Sequence, residues 1–267
     1  MPATLRIAVV YPDLLGTYGD GGNGLILARR AEWRGLAAEL LQATSDAALP
    51  EADIYCLGGG EDGPQVRAAR ALIDDGTLTR RAASGAVVLA VCAGYQIVGH
   101  DFPGADGTSH PGVGLLGVTT AKGDGPRCVG EVTAEPTPEV LALLAPIALP
   151  TLTGFENHGG RTTLHEGVTA LARVTHGVGN GDGDGDGDGD DGVGGTEGAL
   201  CGRVVGTYLH GPVLARNPTL ADRLLSWATE TDVAPLADEA EHALRQERLA
   251  ATGRRLRGRT RRKKTSR

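Results

Sequence analysis

Three continuous apolar runs constrain this chain most: LRIAVVYP (5–12), ADIYCLGGG (52–60) and AVVLAV (86–91). Each runs into a glycine-rich or cysteine-bearing turn, and each turn leads into a helix-patterned segment. Strands with no polar alternation are buried on both faces, which is the condition of a parallel sheet sandwiched between helices. The intervening segments fit. LILARRAEWRG (25–35) has helical spacing and stops at glycine, and PQVRAARALIDDG (64–76) opens on proline and closes on glycine. AAEL (37–40) reads as a further strand and residues 78–84 as a short helix. After Gly99 the texture changes. GVGLLGVTTA (112–121), RCVGEVTAE (127–135) and TLTGFENHGGRTTL (151–164) read as strands joined by turns. GRVVGTYLH (202–210) is a strand ending in histidine, and NPTLADRLLSWATE (217–230) is a helix with asparagine as cap and proline in its first turn. The expectation is an α/β fold with helices on both faces of the sheet and an antiparallel extension.

Ligands of open α/β sheets bind beyond the carboxyl ends of the strands. Gly58–Gly60, Cys92 and His210 all fall at such ends. In VVLAVCAGYQIVGH (87–100) a strand turns into a helix at Cys92, where unpaired amides and the helix dipole favour a thiolate. Ala93 and Gly94 leave the turn uncrowded, and the amide after the cysteine would face an oxyanion. A glycine loop offers a second donor, and His210 suits a general base and acid. On these features alone acyl chemistry at Cys92 stands about level with two plainer readings, a packing cysteine and a glycine-loop ligand site. Cys56, Cys128 and Cys201 fall inside strands and read as core.

The motifs CLGGGEDGPQ, VCAGYQIVG, GFENHGGRT and GTYLHGP resemble the class I glutamine amidotransferase domains of the cobyric acid synthase (CobB/CobQ) type. Together with YGDGGNGLILARRAEWRG, they are similar in order to the GatD glutaminase subunits of bacterial lipid II isoglutaminyl synthase, over nearly all of residues 4–230. The resemblance implies a flavodoxin-like sheet and glutamine hydrolysis, with Cys92 the nucleophile and His210 the acid/base. It places Arg127 on the substrate's α-carboxylate, with Gly59, Gly60 and Ala93 lining the substrate site. Many class I glutaminases carry a glutamate two residues after the histidine. Here that position is Pro212, so the expected orienting acid is Glu156 or a group on a partner chain, and His158 is a candidate for substrate or partner contact. The partner implied is a MurT-like, Mur-ligase-like subunit that uses ATP and magnesium to amidate lipid II, in a heterodimer. This chain has no GxxxxGK[ST] phosphate loop, so no cofactor and no metal are expected on it. The alternatives are a glutaminase serving another acceptor, such as a corrinoid, and a non-catalytic regulator binding a metabolite or partner on the same scaffold.

Composition agrees with an intracellular enzyme. The 267 residues carry four cysteines in no CxxC pair, no signal sequence and no membrane-length apolar run, so a cytoplasmic protein is expected. The net charge of -7 is uneven, because residues 254–267 hold nine of the 26 basic residues and no acid. We divide the chain into an amidotransferase domain at 4–235 and, at 236–267, a C-terminal helix with a basic tail. The tail suits an anionic inner-membrane surface, and no nucleic-acid partner is expected. Residues 179–195 form a Gly/Asp-rich insertion. A calcium loop starting at Asp186 and closing at Glu197 fails there, because Asp191 occupies the position that needs glycine.

Overall fold

The computed structural model describes residues 4–181 and 195–250. The basic tail and most of the Gly/Asp insertion lie outside them. In chain order the first half is β1 (Leu5–Val10), α1 (Gly22–Glu32), β2 (Ala38–Ala43), β3 (Ile54–Leu57), α2 (Asp62–Asp75), α3 (Thr77–Ala83), β4 (Val87–Val91) and α4 (Ala93–Ile97). The second half is β5 (Asp101–Pro103), β6 (Ser109–Pro111), β7 (Val118–Lys122), β8 (Cys128–Pro136), α5 (Pro138–Leu143), β9 (Leu152–His158), β10 (Gly160–Leu164), β11 (Ala172–His176), β12 (Thr196–Glu197), β13 (Ala199–Cys201), β14 (Val204–Thr207), α6 (Val213–Arg216) and α7 (Pro218–Thr229). Residues 239–250 are also helical.

The apolar runs form the centre of a six-stranded sheet ordered β13-β14-β4-β3-β1-β2. All its pairings are parallel except β13 with β14. Every residue of β3, β4 and β14 is buried, as the missing polar alternation requires. The antiparallel part is larger than an extension of this sheet. It forms two further four-stranded sheets, ordered β10-β7-β5-β6 and β12-β11-β8-β9, antiparallel except where β5 pairs with β7. Gly159 alone separates β9 from β10, so one nearly continuous run of chain joins the two.

Strand β14 ends at Thr207, three residues before His210. The cause is Glu197, a fully buried carboxyl that accepts from the Thr207 hydroxyl and the Tyr208 amide (3.2 Å) and so takes the place of a ladder partner. Burial pushes its pKa up to about 7. His210 is then recaptured by β9, where it exchanges two backbone hydrogen bonds with Phe155 (2.8 and 3.1 Å). Cys201, expected in the core, is exposed at the end of edge strand β13. Cys56 and Cys128 are buried, and burial pushes the Cys56 thiol up to about 12, which makes it inert.

Candidate active site

Cys92 stands between the last residue of β4 and the first of α4 with φ 52° and ψ −106°. A positive φ is uncommon for a side chain with a Cβ, and it places the cysteine on a sharp strand-to-helix elbow. The elbow closes tightly. The Gly94 amide donates to the Gly58 carbonyl (3.1 Å), and the Cys92 amide donates to Thr207 on β14 (2.9 Å). Because α4 is a single turn of five residues, its dipole is small. The chemistry at Cys92 therefore leans on neighbouring side chains more than on the helix.

Strand β9 brings those neighbours together. Phe155 pairs with His210, and the Asn157 carbonyl lies 3.8 Å from Cys92 Sγ. Arg127 grips the same residue, through Nε to the Asn157 side chain (2.5 Å) and Nη2 to its carbonyl (2.9 Å). The next residue, His158, is buried, with its ring stacked on Tyr208 at 3.8 Å between centroids. His158 Nδ1 donates to the Gly160 carbonyl at 3.1 Å.

The carboxylate on His210 is neither of those expected. Asp20, in the turn between β1 and α1, places Oδ2 2.8 Å from His210 Nδ1. Both side chains are buried, and Tyr18 from the same turn packs on the imidazole at 4.8 Å. Burial alone would lower the imidazolium pKa, but the Asp20 hydrogen bond and the nearby Cys92 sulfur outweigh it and raise it to about 10. Glu156 is engaged elsewhere. Its carboxylate accepts from the Val178 (3.0 Å) and Gly179 (2.9 Å) amides and lies 3.4 Å from His158. It caps the root of the Gly/Asp insertion and makes no hydrogen bond to the His210 side chain, whose carboxylate partner is Asp20. Pro212, at the position of the usual carboxylate, packs where a Cβ on Gly22 would meet its ring at 2.6 Å. It supports the start of α1 and, through it, the Asp20 turn.

Gly60, Cys92, Ala93, Arg127 and His158 line one cavity of about 250 Å³, together with Asp62, Gln65, Gln96 and Lys122. Gly59 does not line it, because its amide donates to Asp20 Oδ2 (3.0 Å) and a Cβ there would meet the His210 ring at 2.7 Å. Close packing, not substrate contact, is what makes Gly59 a glycine. The sequence reading missed Asp20. The glycine-flanked YGDGGN looks like a turn, yet it follows a strand's carboxyl end, the same signal that marked Cys92. Among the described residues no three His, Cys, Asp or Glu side chains gather as metal ligands.

Comparison with known proteins agrees with this geometry. Residues 6–218 match the CobB/CobQ-like glutamine amidotransferase domain. The GatD subunit of the glutamine-hydrolysing lipid II isoglutaminyl synthase of Streptococcus pneumoniae is 34% identical over 85% of this chain and 81% of its own length. Its Staphylococcus aureus counterpart is 33% identical over 82% of each. A cobyric acid synthase from Pelotomaculum thermopropionicum is 36% identical, but over only 55% of this chain and 27% of itself. Among solved structures, a glutamine amidotransferase superposes with TM-score 0.54 at 18% identity over 83% of this chain and 98% of its own. PurLQS from Thermotoga maritima does so with TM-score 0.53 at 16% identity, over 85% and 97%. The folded scaffold, the match over more than four fifths of both chains and the elbow cysteine coincide on one assignment: the chain belongs to the CobB/CobQ-like glutamine amidotransferases and, within them, to the GatD subunits of lipid II isoglutaminyl synthase.

Proposed function

We propose that Cys92 and His210 hydrolyse glutamine and that the ammonia released amidates lipid II on a partner subunit. One observation carries the reading: a strained elbow cysteine lines a small cavity beside a buried Asp20–His210 pair. Cys92 Sγ adds to the side-chain amide carbon with its proton already resting on His210, and an imidazolium held by Asp20 and the Cys92 sulfur suits that ion pair. The amides of Ala93 and Gly60 face the developing oxyanion. His210 passes the proton to the departing nitrogen, the C–N bond breaks, and ammonia leaves behind a γ-glutamyl thioester. His210 then deprotonates a water that adds to the thioester carbon. The C–S bond breaks, glutamate departs, and the thiolate–imidazolium pair is restored. Arg127 holds the substrate α-carboxylate.

The relatives' designation as a subunit of a glutamine-hydrolysing synthase supports an ammonia acceptor on a second chain. The partner is a MurT-like Mur ligase subunit, which carries ATP and magnesium and activates the D-glutamate α-carboxylate of the lipid II stem, so that ammonia yields D-isoglutamine. No helix among the described residues is long and apolar enough to cross a membrane. We place the heterodimer at the cytoplasmic face, with the basic residues of 254–267 drawn to the anionic leaflet.

Two measurements test this reading. Glutamate release by the complex should fall on the order of 10⁴-fold or more in Cys92→Ala; release untouched by the substitution ends the catalytic assignment. Depletion of the protein in cells should lower the D-isoglutamine content of stem peptides by mass spectrometry. Unchanged content ends the cell-wall assignment and leaves a glutaminase for another acceptor.

A further inference from the structure

Two fully buried polar side chains stand where the Gly/Asp insertion leaves the fold and rejoins it, Asn180 at its start and Glu197 just past its end. Neither lines the cavity of Cys92. The Asn180 backbone amide donates to the Thr196 carbonyl (2.8 Å), and its side-chain Nδ2 donates to Thr196 Oγ1 (2.9 Å) and the Gly198 carbonyl (3.0 Å). A carbonyl only accepts, so the Gly198 contact fixes which end of the side chain is nitrogen. The oxygen is left for the Tyr95 hydroxyl, which donates to it at 3.2 Å. Tyr95 sits in α4 just after the Cys92 elbow, with its ring edge-on to Tyr208 at 5.2 Å and against Gly206 of β14, where a Cβ would collide with it. Asn180 thus ties the one-turn helix of the nucleophile to the stem of the insertion.

Glu197 acts on the histidine. Its carboxyl accepts from the Thr207 hydroxyl and the Tyr208 amide (3.2 Å), and the Thr207 oxygen in turn accepts from the Leu209 amide (3.1 Å). One buried carboxyl therefore fixes Thr207, Tyr208 and Leu209, the residues that lead into His210. The stem also meets β9, the strand that pairs with His210, because the Val178 and Gly179 amides donate to Glu156. Closing the ends of an insertion requires no more than the backbone bond from Asn180 to Thr196. Glu197 forms no ion pair among the described residues, and a buried carboxyl without a cation is a costly way to close a loop. Its contacts run instead to the segment that carries His210.

We propose that Glu197 and Asn180 are positioning residues for glutamine hydrolysis: Glu197 sets His210, Asn180 sets the Cys92 elbow through Tyr95, and the stem that joins them holds both halves of the reacting pair in register. This inference rests on the glutaminase reading. It assigns the effect of Glu197 to hydrogen-bond geometry and not to charge. Burial raises the Glu197 pKa to about 7, so the uncharged acid is already abundant near neutrality, and glutamine is its close match in shape and hydrogen bonding.

The test measures glutamate release by the full chain co-expressed with its partner subunit. Glu197→Ala should lower kcat by up to about 10²-fold, the cost of a misplacement near 1 Å, while glutamine KM changes by less than about twofold. Glu197→Gln should restore kcat to within about threefold of the wild type, because it keeps an acceptor for the Tyr208 amide and a hydrogen bond to Thr207. Tyr95→Phe removes only the hydroxyl that meets Asn180 and should lower kcat by about tenfold with KM unchanged; it decides the matter if Glu197→Ala yields no folded complex. Wild-type kcat in Glu197→Ala or in Tyr95→Phe overturns the assignment. So does a loss carried by KM, or a Glu197→Gln complex as slow as Glu197→Ala. A wild-type complex that releases no glutamate from glutamine sinks the glutaminase reading itself, and the assignment falls with it.

Discussion

Asp20 joins two parts of the site through one oxygen. Its Oδ2 accepts from His210 Nδ1 and from the Gly59 amide, so the imidazole and the glycine loop share an anchor. Replacing it with asparagine keeps the shape and removes the charge that holds the imidazolium. Asp20→Asn should lower kcat by roughly 10²–10⁴-fold with little change in glutamine KM, since the residue acts on His210 and not on the cavity. The same pair has a signature in stability. The His210 pKa is raised from 6.5 to about 10, so its stabilisation is fully present below about pH 6.5 and is lost as pH rises through about 10. Denaturation midpoints measured from pH 6 to 10.5 should fall across that window in the wild type, and the fall should shrink in Asp20→Asn. Sequence spacing hides this residue because it lies 190 positions from His210. The search for a carboxylate near the histidine meets only Pro212 and Glu156. Chain proximity is a poor guide where a parallel sheet brings distant strand ends together.

The elements show why the nucleophile was legible and much of its surroundings was not. The elbow announces itself locally, as a continuous apolar strand, a cysteine, and then two small residues. Its geometry confirms their need to be small, for a Cβ on Gly94 would come within 2.7 Å of Leu57 Cβ and 3.0 Å of the Leu57 backbone. The backbone at the end of β3 has little freedom to yield. Gly94→Ala should therefore push α4 off β3, destabilise the fold by about 1–3 kcal/mol and lower kcat, with the loss in stability read from urea denaturation. The central strands were equally legible, because unbroken burial leaves a strong pattern. The partners of β8 and β9 were not. Their alternation is irregular, β9 serves Phe155, Asn157 and His158 in three different contacts, and their register is set by long-range pairing such as Cys128 opposite His158. That pairing is what brings Arg127 over Asn157, and nothing within either segment encodes it.

At the scale of the whole molecule, α1 links the site to the far end of the chain. The turn that leads into it carries Asp20, and its body carries Arg30, which is 2% exposed. Arg30 makes paired hydrogen bonds to Asp222 on α7 (2.8 Å each) and to Asp238 beyond it (2.6 and 2.8 Å), while Arg34 adds a contact to Asp222 at 2.8 Å. The segment after α7 is thereby fastened across the domain, and Arg245 extends the hold by donating to the Thr151 carbonyl. Residues past 235 thus contribute to the stability of the fold that positions Asp20. Removing the guanidinium strands the Asp238 carboxylate with little access to water and leaves Asp222 with Arg34 alone, and breaking such a buried network typically costs about 3–5 kcal/mol. Arg30→Ala should lose about that much, measured from denaturation midpoints at pH 7. Acid should erase the difference. The Arg30 bond holds the Asp238 carboxyl below its ordinary 3.8, so its contribution is present above about pH 4 and is lost as pH falls below that value. The gap between wild type and Arg30→Ala should therefore be widest near neutrality and narrow on acidification. A gap that stays constant down to pH 3 would mean that Arg30 stabilises the protein through packing of its stem and not through its charge.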